Sequence, residues 1–91
     1  MPFGTIDRPP DNERYSTNDH IHIHGEGYSS VATVLFPDGL SAAYALTKEG
    51  DRWTAHLGTF SGMGTYWITI TFPGEQPEQQ PKVLTRRFTI S

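Results

Sequence analysis

The chain has 91 residues and a formal net charge of −3, which makes residues 1–91 one domain by size, near the lower end at which a chain buries enough surface to fold alone. Its 7 Lys and Arg are scattered among 10 Asp and Glu, which excludes the clustered cationic face of a nucleic-acid binder and gives no reason to expect membrane insertion. With no cysteine there is neither a disulfide nor a thiolate nucleophile, and the redox compartment is unreadable.

The chain starts Met1-Pro2-Phe3-Gly4, without the basic start and apolar run of a signal peptide, and no apolar stretch approaches the roughly 20 residues that span a bilayer. Work outside a cell would therefore need export by other means or as part of a larger protein. Thr, Gly, Pro and aromatic residues are common, a composition that suits a small β domain.

Proline, glycine and Asp/Asn clusters divide the sequence at short, even intervals, and the segments between them alternate with period two; no stretch reads as a helix. Thr5-Ile6-Asp7 is a short first strand, and the polar connection "DNERYSTND" carries Tyr15 against the core. His20 to His24 form the second strand, with Ile21 and Ile23 on one face. "SSVATVLFPDG" is the third, with Val34 and Phe36 buried and Val31, Thr33 and Leu35 outward, and it ends in a Pro37-Asp38-Gly39 turn.

"SAAYALTKEGDRWTAHL" reads as two strands joined at Glu49-Gly50-Asp51, with Trp53, Ala55 and Leu57 inward. After "SGMG", the segment "TYWITITF" alternates Tyr66, Ile68, Ile70 and Phe72 with outward Thr65, Trp67, Thr69 and Thr71. "PGEQPEQQPK" is a polar loop, and "VLTRRFTIS" closes the chain with Phe88 and Ile90 inward. About seven short strands with regular turn signals predict an all-β sandwich of two antiparallel sheets, with a closed barrel as the rival.

"ATVLFPDG", "KEGDRWTAHL", "GTYWITITF" and the terminal "RRFTIS" together resemble bacterial immunoglobulin-like (Big-type) domains, whose repeats run V-x-V-x-x-P-D-G, D-G-x-W-x-A-x-L and G-x-Y-x-V-x-V. The likeness covers residues 31 to 72 well and the two ends loosely. It departs at Arg52, where the family has glycine or asparagine, and in the long loop of residues 73 to 82. It implies an immunoglobulin-like sandwich acting as a spacer, a decoration or a partner-binding domain in a surface protein, adhesin or phage particle, at the cell surface or in the virion.

Three constellations are candidate sites. His20, His22 and His24 point the same way from one strand, about 7 Å apart, and His-x-His on a strand is a way to offer two imidazoles to zinc. In an immunoglobulin-like topology His56 sits across from them. The plainer account is that isoleucines go in and polar residues go out, with nothing behind the imidazoles to hold them.

The same topology gathers Glu26, Glu49, Asp51, Glu75 and Glu78 at one tip, a set of oxygens that suits calcium. No Asp-x-Asp ladder fixes them, Lys48 and Arg52 partly neutralise them, and acidic loops commonly serve solubility alone. Trp67 must stand on an outer sheet face, flanked by Leu35 or Thr33 on one neighbouring strand and Arg87 on the other. An exposed tryptophan stacks on a sugar ring or anchors a protein contact; the plainer account is an aromatic packed under an arginine.

Nothing resembles a nucleophile elbow or a phosphate-cradling glycine loop. The expectation is therefore a non-catalytic module without a resident cofactor, whose partner is a neighbouring domain or another protein. A carbohydrate-binding module using Trp67 and a metal-dependent domain using the histidine face are the alternatives.

Overall fold

Alternating apolar and polar residues bury one side of a strand and wet the other, and two such surfaces closed face to face make the fold. The computed structural model describes residues 4–73 and 80–91. Its strands are β1 (Glu13–Tyr15), β2 (Ile21–Glu26), β3 (Val31–Leu35), β4 (Ser41–Ala45), β5 (Thr47–Glu49), β6 (Arg52–Gly58), β7 (Gly64–Phe72) and β8 (Lys82–Ile90). A large sheet of order β1-β8-β7-β3-β4 packs on a small sheet of order β2-β6-β5. The architecture is a two-sheet sandwich, not a closed barrel.

The core lies between the sheets. Ile21, Ile23, Trp53, Ala55 and Leu57 come from the small sheet, and Ala32, Val34, Tyr66, Ile68, Ile70, Phe72, Phe88 and Ile90 from the large one. These are the positions that period two assigns inward. Phe36 is only half-buried because it sits at the open end of the sandwich, edge-on to Phe60 and Tyr66 with centroids at 5.8 and 5.6 Å.

The strand count and pairing differ from the sequence expectation in three places. Residues 41 to 49 do not form one strand. β4 pairs with β3 and β5 with β6, because the chain crosses between sheets at Leu46, whose N–H makes a bond to Ser30 O at 3.0 Å and whose side chain packs on the core.

Thr5-Ile6-Asp7 is a strap rather than a strand. Thr5 N and Asp7 N donate to Glu26 O and His24 O at 2.7 and 2.8 Å, while Ile6 is buried. The chain then crosses to the other sheet at buried Pro9, joined to Arg8 by a cis bond. Its next residues, read as a polar connection, form β1 parallel to β8, so one pairing in the large sheet is parallel. Tyr15 does meet the core as expected, edge-on to Phe88 at 5.8 Å.

Candidate functional site

The outer face of the large sheet is built by register. Leu35 pairs with Ser41 on one side and with Trp67 on the other, and Trp67 pairs with Arg87. Ser41, Leu35, Trp67 and Arg87 therefore stand abreast across four strands. Ala43, Thr33, Thr69 and Thr85 form the next row. Leu35 and Trp67 are 43% and 39% exposed, large values for apolar side chains in mid-sheet. The Arg87 guanidinium lies 5.3 Å from the Trp67 ring centroid, and its Nε donates to Asn12 Oδ1. All four residues expected on this face, Trp67, Leu35, Thr33 and Arg87, are brought together.

The histidine face is the outer side of the small sheet. The unbroken pairing of residues 22–26 with residues 52–56 sets His22 directly opposite His56, and the ladder shifts only beyond that pair, between Ile21 and His22. Their rings stack at 4.2 Å with 7° between planes, and His20 lies 5.7 Å from His56. His24 is opposite Thr54 instead and approaches Arg52, Nδ1 to guanidinium nitrogen 3.4 Å. A shallow groove of about 480 Å³ runs over His22, His24, Thr47, Arg52, Thr54 and His56.

An imidazole binds a metal along a lone pair in its ring plane, at about 2.1 Å. Two nearly parallel rings keep their lone pairs in separate planes that do not meet at one ion. Among the described residues no group of three or more His, Cys, Asp or Glu side chains is arranged to hold a metal. Equimolar zinc is accordingly expected to leave the melting temperature unchanged in a thermal scan, since a ligand stabilises only by preferring the folded state. A rise of several degrees that His22→Ala abolishes would overturn that outcome.

At the tip, Glu26, Glu49 and Asp51 do come together, and the organising group is the residue that departs from the immunoglobulin-like pattern. Arg52 reaches Glu26 Oε1 and Asp7 Oδ2, each at 3.3 Å, and pairs in register with Glu49 of β5. Asp51 accepts the Tyr28 hydroxyl through Oδ1 and the Gly27 N–H through its backbone oxygen at 2.7 Å. Lys48 stands over the Tyr28 ring at 5.0 Å. The pairs are exposed, so each contributes at most about 1 kcal/mol; their chemistry is mutual neutralisation rather than an open oxygen cage. Glu75 and Glu78 lie outside the described residues.

Sequence reasoning missed two features. Asp7 joins the Arg52 cluster only because the strap docks beside β2. At the opposite end of the sandwich, Phe36, Tyr44, Phe60, Met63 and Tyr66 line a cleft of about 520 Å³ beside the Pro37-Asp38 turn. Burial raises the Tyr66 hydroxyl above its ordinary pKa, with the Asp38 carboxylate and Tyr44 adding to the shift; burial also raises Tyr44. The alternation of aromatics in "TYWITITF" marks Tyr66 as inward, but nothing local says that residues 59–63 fold over it.

Comparison of the chain with protein families, with curated proteins and with solved structures gives no match.

Proposed function

We propose that the chain is a non-catalytic immunoglobulin-like module of a bacterial surface protein or phage particle, and that it holds a neighbouring domain or protein against the outer face of its large sheet. Three features support the immunoglobulin-like reading. The N-terminal segment is divided between the two sheets, straps β2 and then runs parallel to β8. The strand order places β3, β7 and β8 together opposite β2 and β6, as a Greek-key sandwich requires. Tyr66, near the start of β7, donates its hydroxyl to Gly62 O at 2.6 Å, the back-bonded tyrosine at the corner between the two sheets that such domains use.

The observation that carries the binding reading is the Leu35-Trp67-Arg87 row. An indole and a leucine side by side in the middle of a flat face are the kind of apolar patch that marks contacts on small domains. Arg87 over the indole occupies part of the π surface that a sugar ring would stack on, which favours a protein partner over a glycan.

Trp67→Ala should leave the thermal transition close to wild type and weaken association with the native neighbour by about 30-fold, roughly 2 kcal/mol, read by titration calorimetry. Trp67 fluorescence should also become shielded from acrylamide on association. Equally tight association by Trp67→Ala moves the interface to the tip around Glu26 and Asp51. Trp67-dependent heat on titrating a polysaccharide makes the module a carbohydrate binder instead.

A further inference from the structure

Among the described residues the sandwich has four sheet edges, and three are guarded. An exposed edge offers unpaired N–H and C=O groups to any other strand, and proteins blunt such edges by shortness, charge or a covering segment. β1 is three residues long and carries Glu13 and Arg14. The free side of β2 is covered by the strap, through Thr5 N to Glu26 O and Asp7 N to His24 O. β5 is three residues long and carries Lys48 and Glu49.

Among the described residues β4 has none of these devices. It runs five residues, Ser41-Ala42-Ala43-Tyr44-Ala45, with no charge and no proline, and pairs in unbroken register with β3. The phase of that ladder is set by two bonds that flank β4: Phe36 N to Leu40 O at 2.7 Å and Leu46 N to Ser30 O at 3.0 Å. Antiparallel bonding alternates, so Ala42 and Tyr44 exchange bonds with β3. The N–H and C=O groups of Ser41, Ala43 and Ala45 point to the free side.

We infer that β4 is the pairing edge of a two-fold dimer, in which β4 of one copy adds antiparallel to β4 of a second copy and joins the two large sheets into one. A two-fold contact must be self-complementary, and this strand is. With Ala43 opposite Ala43, Ser41 falls opposite Ala45 of the other copy, and every outward N–H and C=O of the three residues gains a partner. Ala42 falls opposite Tyr44, so no like charges or bulky pairs meet across the seam.

Ser41 lies beside Leu35, so the Trp67 face would extend across both copies. The pairing does not depend on what binds there.

Sedimentation equilibrium of the 91-residue chain should show reversible monomer–dimer exchange, reaching twice the 10.2 kDa monomer mass. Concentration-dependent amide shifts should centre on residues 41, 43 and 45. Ala43→Pro removes an N–H that points away from β3, a tolerated place for proline on an edge, and should raise the dimer dissociation constant at least tenfold with an unchanged circular dichroism spectrum.

Should Ala43→Pro fail to fold, Ala43→Lys and Ala43→Glu test the same register from an exposed position. Each alone should be monomeric, because residue 43 meets itself at the two-fold axis, and an equimolar mixture should dimerise. A chain that stays monomeric at millimolar concentration, a dimer indifferent to the position 43 variants, or open-ended oligomers in place of a closed pair would each overturn the inference.

Discussion

Trp53→Ala should remove a large share of the chain's stability. The indole, near the start of β6, is fully buried, and its Nε1 donates to Thr5 O at 3.0 Å. Truncation removes the largest fully buried side chain of the core, opens a cavity between the sheets and leaves the Thr5 carbonyl without that donor.

Tryptophan-to-alanine changes in cores cost about 3 to 5 kcal/mol, against a total stability of about 5 to 14 kcal/mol for a chain of this length. Urea titration followed by far-ultraviolet circular dichroism measures the loss. Trp53→Phe, which restores most of the volume but not the donor, should recover more than half of it. A Trp53→Ala protein as stable as the wild type would mean that the inner face of β6 is assigned wrongly.

Gly25→Ala should be nearly as damaging, although it adds a single methyl group to a strand. A Cβ at Gly25 would lie 2.0 Å from Thr5 O, 2.8 Å from Thr5 C and 2.9 Å from Trp53 Cζ2. Backbone atoms cannot swing aside as a flexible side chain can, so the strap must lift. Lifting it breaks Thr5 N to Glu26 O at 2.7 Å and Glu26 N to Thr5 Oγ1 at 3.0 Å, and it disturbs the indole bond as well.

The expected loss is about 3 kcal/mol, at the severe end of single substitutions and typical of overpacking a filled site. It should be accompanied by fast hydrogen exchange at the Thr5 and Asp7 amides. Unchanged exchange there, with wild-type stability, would show that the strap is not seated on β2.

The histidines and the acidic tip show how far local reasoning reaches. That His22 and His56 share an outward face follows from Ile21, Ile23, Ala55 and Leu57 facing in. That they stack follows from the register of β2 on β6, which sets His22 opposite His56 and which no spacing in "DHIHIHG" encodes. Arg52, read as a partial neutraliser of nearby carboxylates, bridges two of them. One of these, Asp7, is 45 residues away in sequence and is carried there by the strap.

The Trp67 row was legible almost whole. It needs only alternation along three strands and the order in which those strands pair.

By itself, then, the sequence determined which side of each strand is buried and where the turns fall. Alternation and turn chemistry are properties of a few consecutive residues, and the hydrophobic effect acts on them wherever the strand ends up. Tertiary structure alone decided that residues 41–49 divide between two sheets at Leu46, that residues 4–8 close over Gly25 and Trp53, that β1 runs parallel to β8, and that β4 is left as the unguarded edge. Each of these is a pairing between segments far apart in the chain. Its free energy depends on register, closeness of approach and the competition of other strands for the same hydrogen bonds, none of which is present until the two sheets meet.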